Sequence, residues 1–204
     1  MMQLIIQYYA SVGLFALFVV MVLIRASMLR KRNIQVIVFG QTDKSDFLLV
    51  PCVILVAYTI LANTFGLPVW NALTRPFWNG GGGGAAGWAG WTGWVGLTLC
   101  AAAMAGFALA LASFGDSFRV GIDVNTPDKL VTGGMFSISR NPIYVCFLLF
   151  FAGLFLIHRN ITVAVGAVLF ALAIHRQVKR EEAFLASHYG AEYEEYCKKT
   201  RRYL

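Results

Sequence analysis

Three long stretches of the chain contain no charged residue and consist mostly of apolar side chains. These stretches are residues 1–24, 47–74 and 79–115. A run of about 20 apolar residues can span a hydrocarbon core of about 30 Å as a helix. The pattern predicts transmembrane helices over residues 4–24, 47–65 and 91–114.

Two shorter apolar runs follow in the C-terminal half, at residues 143–157 and 161–174. A tight helical hairpin accounts for both, and its turn would leave His158 facing the headgroups. The second helix then continues out of the membrane through a charged segment to Tyr189, where Gly190 is a plausible C-terminal stop. The sequence thus predicts an all-α integral membrane protein with about five transmembrane helices.

Composition agrees with a membrane protein, since 58% of the 204 residues are hydrophobic and 13% are charged. A soluble domain would carry about 25% charged residues. The first apolar run is followed by Arg25 and further basic residues rather than by a small-residue cleavage site, which favours a retained helix over a signal peptide. The segment 79–94, rich in glycine and tryptophan, is interpreted as a tether with interfacial tryptophans, the alternative being a flexible gate.

The positions of the charges predict the topology. All Lys and Arg except Arg75 and Arg159, and all ten Asp and Glu, fall on one side of the predicted spans. By the positive-inside rule the N-terminus lies outside and the C-terminus in the cytoplasm, as expected for a cell inner membrane. The net charge of +7 therefore reflects topology and anionic lipid rather than nucleic acid. The four cysteines show no paired spacing, so we expect no disulfide and no metal site.

Two cytoplasmic segments carry the residues that could perform chemistry. Residues 128–144 contain a glycine pair and then a polar cluster at a helix N-terminus, which suits an anionic group. Residues 176–196 contain Glu181 and Glu182 followed by several tyrosines. If the two segments fold together, they enclose a pocket that can bind a zwitterion.

Each feature also has a purely structural interpretation. Glu181 and Glu182 can pair with basic residues on one helix surface. Arg140 and its neighbours can be a topology signal and a helix start, and the tyrosines can be interfacial anchors. The combination and order of the two segments, rather than any single feature, indicates a functional site.

The two segments resemble the motifs of one enzyme family. Residues 130–144 (LVTGGMFSISRNPIY) are similar to the pattern Leu-Val-x-x-Gly-x-Tyr-x-x-x-Arg-His-Pro-x-Tyr. Residues 181–196, in a stretch that reaches Arg202, are similar to Glu-Glu-x-x-Leu-x-x-x-Tyr-Gly-x-x-Tyr-x-x-Tyr. Both are typical of isoprenylcysteine carboxyl methyltransferases and their bacterial and archaeal relatives, including phospholipid methyltransferase-like proteins.

This resemblance implies a membrane methyltransferase that uses S-adenosylmethionine and acts on a lipophilic acceptor through a carboxyl, amine or thiol group. It implies N-terminal transmembrane helices over residues 1–113 and a methyltransferase-like core with a cytoplasmic cofactor pocket over 114–204. The implied catalytic residues are Arg140, Glu181 and Glu182. The implied cofactor-binding residues are those three together with Lys129, Leu130, Val131, Gly133, Phe136, Asn141, Pro142 and Tyr144. The implied substrate-binding residues are Arg176, Gln177, Arg180 and Tyr193.

Three positions depart from the family pattern: Asn141 replaces His, Phe136 replaces Tyr, and Gln177 replaces an Arg that the prenylcysteine enzymes place at the substrate carboxylate. The last change argues against a prenylcysteine carboxylate as acceptor. Two other functions stay open at this point. One is an NADPH-dependent membrane reductase of the sterol-reductase type, and the other is a small non-enzymatic transporter, against which the charge-free first three spans argue.

Overall fold

A computed structural model describes residues 2–31, 49–69, 74, 76, 85–114 and 130–204. Lys129 and the five consecutive glycines at 80–84 lie outside the described residues. Within them the chain forms six α-helices: α1 (Met2–Lys31), α2 (Leu49–Phe65), α3 (Ala85–Phe114), α4 (Pro142–His158), α5 (Ile161–Tyr189) and α6 (Ala191–Lys199). The described part contains no β-strand, so the all-helical fold class is confirmed.

Three of these helices contain apolar segments long enough to cross a membrane: Met2–Ser27, Gly90–Ser113 and Ile161–Tyr189. Helices α2 and α4 are apolar but shorter. Large apolar side chains such as Ile5, Leu23 and Leu172 are exposed on the outer faces of α1 and α5, where a soluble protein would place polar groups. The chain is therefore an integral membrane protein, whereas a count of five spans stays a prediction.

The predicted hairpin of α4 and α5 is confirmed. Pro142 occupies the first turn of α4, where its missing N–H is not needed. The helix ends at His158, and the next residue, Arg159, adopts a left-handed conformation with φ 48°. Asn160 then caps α5, because its side-chain oxygen accepts a hydrogen bond from the backbone N–H of Val163 at 2.9 Å. Gly190, with φ 51°, ends α5 as predicted.

Helix α3 begins at Ala85 rather than near residue 91, so the prediction of a tether is wrong for residues 85–94. Gly90 and Gly93 allow close packing against α1 instead. A Cβ on Gly93 would overlap the side chain of Gln7 from α1, whose amide donates to the carbonyl of Gly90 at 2.8 Å. Trp91 is 74% exposed on the outer face of α3, which fits contact with lipid or headgroups.

Helices α3 and α4 pack closely because two glycines face each other. A Cβ on Gly153 would come 2.7 Å from the carbonyl oxygen of Gly96, and a Cβ on Gly96 would come 2.6 Å from that of Gly153. Small residues allow helix backbones to approach in a membrane, where no hydrophobic force draws helices together. Phenylalanines from α1, α3 and α4 fill the space beside this contact, with Phe18 and Phe150 stacked at 4.4 Å.

A buried polar cluster lies where α4 ends, and we call it the hairpin-end cluster: Tyr8, Ser11, Asn63 and His158. His158 is fully buried, so the prediction that it faces the headgroups is wrong. Its ring stacks on Tyr8 at 4.9 Å and lies within hydrogen-bond distance of Ser11 (3.0 Å) and Asn63 (3.4 Å). These contacts join α4 to α1 and α2, and their geometry explains the burial because each polar atom of the ring has a partner.

Candidate functional site

The site is built at the opposite end of α4, where the loop 130–141 leads into the helix. Gly134, with φ +60°, turns the chain against α3, and a Cβ there would come 2.4 Å from the Ser113 hydroxyl oxygen. The same hydroxyl accepts a hydrogen bond from the backbone N–H of Met135 at 3.1 Å. Glycine is suited to this position because it reaches positive φ at low cost and leaves room for Ser113. The loop is thereby fixed to the end of α3.

Arg140 is the most extensively bonded side chain of the site. Its Nε and Nη2 each donate to Oε1 of Glu182 at 3.2 Å. Its Nη1 donates to the carbonyl oxygen of Thr200 at 2.8 Å, with a longer contact of 3.4 Å to that of Cys197. All three guanidinium nitrogens are thus engaged, and the side chain is only 12% exposed.

Glu182 lies at the centre of the network, with its side chain 10% exposed. Besides Arg140, its Oε1 accepts from the Asn141 side-chain amide at 3.1 Å, while its Oε2 accepts from Nε of Arg202 at 2.7 Å. A buried carboxylate is costly unless it is paired and hydrogen-bonded, and here both oxygens are satisfied by cations and an amide. Asn141 occupies the cap position of α4 but makes no capping bond; its side-chain NH2 donates to Glu182 and to the carbonyl oxygen of Arg202.

Glu181 is held by a second, separate set of donors. Its Oε1 accepts from the Tyr144 hydroxyl at 2.6 Å and from the Gln177 amide at 2.8 Å. Gln177 in turn accepts a short hydrogen bond from Arg180. These two donors orient the carboxylate of Glu181, so the two neighbouring glutamates are held by different groups.

The C-terminal tail, residues 200–204, lies beside the loop and completes the site. The backbone N–H of Arg140 donates to the carbonyl oxygen of Arg201 at 2.9 Å, and Ser139 and Arg201 form a parallel bridge. The carbonyl oxygen of Arg202 accepts from the Asn141 amide at 3.1 Å and from the Ser139 hydroxyl at 3.3 Å. Tyr203 meets His175 of α5 at 2.8 Å. The tail is therefore fixed along its length by polar contacts.

Two tyrosines of α6 border the network and differ in one respect. Tyr196 donates its hydroxyl to the carbonyl oxygen of Phe136 at 2.6 Å, and burial raises the pKa of Tyr196 to about 12. Tyr193 is 3% exposed, and its hydroxyl lies beside the Cys197 thiol but makes no hydrogen bond of good geometry in the described part of the chain. Burial and then the charge of Glu182 raise the pKa of Tyr193, so both hydroxyls stay protonated near neutral pH.

The network carries a surplus of positive charge, because two guanidinium groups share one carboxylate. Burial by itself would lower the pKa of Arg140, but the carboxylate of Glu182 raises it above its ordinary value. Arg140 is consequently charged at any physiological pH. A half-buried cluster with one uncompensated cation attracts an anionic group.

Most residues that the motifs single out come together at this end of the hairpin. Hydrogen bonds link Arg140, Asn141, Tyr144, Gln177, Arg180, Glu181 and Glu182 into the two adjoining sets. Leu130 and Val131 are partly buried at the start of the loop, Phe136 is buried and Gly133 is exposed. Arg176 is exposed on α5.

The motifs did not single out Arg202 or the backbone carbonyls of the tail as parts of the site. Arg202 ends the stretch that resembles the second motif, but nothing in its spacing indicates a partner 20 residues earlier in the sequence. A second signal was the density of basic residues at the end of α6 and just beyond it (Lys198, Lys199, Arg201 and Arg202), which also fits a topology signal. Among the described residues, no group of three or more His, Cys, Asp or Glu could hold a metal ion.

The fold and site define an all-helical membrane protein whose charged site lies at the open end of a helical hairpin. A family model described as phospholipid methyltransferase matches residues 91–192, which is half of the chain. The chain belongs to the phospholipid methyltransferase family. This membership confirms the family predicted from the two motifs, and a family of methyltransferases implies a methyl donor.

Curated relatives cover smaller parts of the chain. A probable protein-S-isoprenylcysteine O-methyltransferase of Oryza sativa, in both the indica and japonica subspecies, is 35% identical over 96 residues, which are 45% of this chain and 50% of the relative. The cobalt-zinc-cadmium resistance protein CzcN of Cupriavidus metallidurans is 40% identical over 74 residues, which are 36% of this chain and 34% of the relative. The matches thus span half or less of these relatives. No solved structure gives a significant match.

Proposed function

We propose that this protein is an integral membrane methyltransferase that takes its methyl group from S-adenosylmethionine and transfers it to a lipophilic acceptor. The observation that carries the proposal is the pair of differently held carboxylates at the open end of the hairpin, in a chain of the phospholipid methyltransferase family. Such a site offers both a carboxylate and a surplus guanidinium, which a zwitterionic amino-acid group requires.

The residues present fit this methyl donor on chemical grounds. Its amino-acid portion carries an ammonium and a carboxylate, and its adenine needs apolar contact and backbone hydrogen bonds. Glu181, oriented by Tyr144 and Gln177, suits the ammonium. The unpartnered hydroxyl of Tyr193 is a buried polar atom that a ligand could satisfy. Leu130 and Val131, at the start of the loop, are the proposed adenine contacts by resemblance to the family.

S-adenosylmethionine would supply an activated methyl group on a sulfonium. The protein would supply proximity and alignment, which can account for much of the rate of such a displacement. In this division of roles Glu181 contacts the donor, while Glu182 keeps Arg140 and Arg202 in place. Asn141 cannot titrate near neutral pH, so acid–base catalysis by that residue is not part of the proposal. The tail then fixes the geometry of the pocket.

A lipophilic acceptor is supported by the position of the site. Tyr144 contacts Glu181 through its hydroxyl, while its ring packs edge-on against Phe147 at 6.3 Å. Polar and apolar surroundings therefore meet within one turn of α4. An acceptor with a lipid chain could lie along the apolar side and present its polar group to the donor. By the charge distribution, the proposed site faces the cytoplasm at a cell inner membrane, with the N-terminus outside.

Ligand-dependent thermal stability in detergent tests the proposal. A ligand present at about 100 times its dissociation constant stabilises the folded state by about 2.7 kcal/mol. S-adenosylmethionine and S-adenosylhomocysteine should raise the melting temperature by several degrees, and NADPH should not. Glu181→Ala should remove the shift. Glu195→Ala is the matched control, since Glu195 is exposed on α6 and pairs only loosely with Lys199 at 3.9 Å.

A shift with NADPH alone would replace the methyltransferase with a reductase. If none of the three ligands raises the melting temperature of the wild-type protein, S-adenosylmethionine is not its methyl donor. If Glu195→Ala loses the shift as completely as Glu181→Ala, the assignment of Glu181 to the donor site is wrong.

A further inference from the structure

Of the two arginines that contact Glu182, Arg202 is the one whose terminal nitrogens make no hydrogen bond within the described residues. We infer that Arg202, in the C-terminal tail, binds an anionic group of one of the two reactants, so that the tail is part of the ligand site rather than a terminal extension. The inference rests on the proposed methyltransferase function and adds a residue that the motifs did not indicate.

Arg140 is not available for this role. Its three guanidinium nitrogens all donate to protein acceptors, two of them to Glu182 and one to the carbonyl of Thr200. A ligand could reach Arg140 only by displacing these bonds, which would leave Glu182 or a backbone carbonyl buried without a partner. The structure therefore assigns Arg140 to positioning Glu182 and the tail, although it belongs to the more recognisable motif.

Arg202 has the opposite properties. Only its Nε is engaged, on Oε2 of Glu182 at 2.7 Å, and its Nη1 and Nη2 make no hydrogen bond within the described residues. Its side chain is 40% exposed, against 12% for Arg140. The side chain of Arg202 is held by the contact of Nε with Glu182, and its backbone is held by the hydrogen bonds that its carbonyl oxygen accepts. The guanidinium is thus preorganised, with two parallel donors left for a ligand.

The chemistry of the ligand follows from charge and shape. Glu182 compensates one of the two arginines, so a second anion is needed to balance the cluster. A guanidinium with two open nitrogens fits the paired oxygens of a carboxylate or a phosphate. Two reactants could bring such a group: the methyl donor, through the carboxylate of its amino-acid portion, or a lipid acceptor, through its phosphate.

Binding measurements on detergent-purified protein distinguish these sources. The probes are S-adenosylhomocysteine, its decarboxylated analogue, and dioctanoylphosphatidic acid compared with dioctanoylglycerol. Arg202→Ala is compared with Arg201→Ala, an exposed neighbour in the same tail that carries the same charge. Arg202→Lys retains the positive charge but lacks the paired N–H donors of the guanidinium. The analogue pairs also test the wild-type protein directly, so the result does not depend on a variant that fails to fold.

If the donor carboxylate is bound, wild-type protein should prefer S-adenosylhomocysteine over its decarboxylated analogue roughly 10- to 100-fold, the range expected for a hydrogen bond to a charged group. Arg202→Ala should abolish that preference, Arg202→Lys should restore part of it, and Arg201→Ala should retain it. If the lipid phosphate is bound, the same pattern should appear for dioctanoylphosphatidic acid against dioctanoylglycerol.

The inference is overturned if wild-type protein binds S-adenosylhomocysteine but Arg202→Ala changes neither preference by more than about twofold relative to Arg201→Ala. If wild-type protein binds none of the probes, both this inference and the proposed function fail. The two failures are therefore distinguishable by the wild-type measurement alone.

Discussion

Helix α4 begins and ends in a buried polar cluster, and the two clusters have different chemistry. At its start, two arginines and an asparagine surround the carboxylate of Glu182. At its end, the hairpin-end cluster joins His158 to Ser11, Asn63 and Tyr8, and no carboxylate contacts it among the described residues. Both clusters lie at the ends of apolar helices, where burying a polar group costs free energy unless it is hydrogen-bonded.

The hairpin-end cluster holds helices together, whereas the charged cluster around Glu182 is suited to binding a ligand. In the hairpin-end cluster, each ring nitrogen of His158 meets a side chain from another helix. Around Glu182, by contrast, one arginine keeps two nitrogens unengaged and the buried Tyr193 hydroxyl lacks a partner among the described residues. Ionic groups are more expensive to bury than neutral ones. Their retention beside open donors is expected where a charged ligand binds.

Removing Glu182 should have the largest effect on either cluster. Glu182→Ala leaves Arg140 and Arg202 without their carboxylate, and breaking a buried ion pair in this way costs about 3–5 kcal/mol. The free energy of unfolding in detergent should fall by that amount, and binding of S-adenosylhomocysteine should be lost. Glu195→Ala, which removes an exposed carboxylate from α6, should change the free energy of unfolding by less than about 0.5 kcal/mol. Equal losses in the two variants would contradict a central role for Glu182.

Removing His158 should separate stability from binding. His158→Ala deletes a buried ring that contacts α1 and α2, so we expect a loss of about 2–3 kcal/mol in the free energy of unfolding. The affinity of the folded fraction for S-adenosylhomocysteine should not change, because the cluster lies at the other end of α4. His188→Ala, at an exposed position, is the control. A tenfold loss of affinity in His158→Ala would mean that the two ends are coupled.

Sequence patterns predicted the regular parts of this fold well. The hairpin of α4 and α5 was predictable because Pro142 starts a helix and Gly190 ends one, and both signals depend on local backbone chemistry. The start of α3 was not predictable in this way. Glycine has a low helix propensity, but packing against Gln7 outweighs that preference at Gly90 and Gly93, so these residues are helical rather than part of a tether.

The grouping of the candidate site residues was predictable in part, because local sequence signals are recognisable and long-range contacts are not. The two motifs are short and local, and they indicated Glu181, Glu182 and Arg140. The burial of His158 and the pairing of Arg202 with Glu182 depend on how distant segments meet, which periodicity and charge counts do not encode. A basic residue near a membrane is most often a topology signal, and Arg202 looks the same as Arg201 until the tail is seen beside the loop.

The smallest effects are expected from two tyrosines of α6 beside the charged cluster. One has a hydroxyl that makes a hydrogen bond to the protein, and the other does not. Tyr196 and Tyr193 are both buried and lie one helical turn apart, so removing either hydroxyl changes the packing equally little. Tyr196→Phe loses the hydrogen bond to the Phe136 carbonyl and should lower the free energy of unfolding by about 1 kcal/mol. Tyr193→Phe loses no hydrogen bond in the ligand-free protein and should be neutral or slightly stabilising.

With S-adenosylhomocysteine bound, the order should reverse, and this reversal is the most specific test of the site. Tyr193→Phe should then lose part of the ligand-induced rise in melting temperature, because the ligand no longer satisfies a buried hydroxyl. Tyr196→Phe should retain the full rise, because its hydroxyl already has a protein partner. Each variant is the control for the other. Should Tyr193→Phe keep the whole rise, the unpartnered hydroxyl would be a local imperfection of packing rather than a donor to the ligand, and the surplus guanidinium of Arg202 would have to account for ligand binding without it.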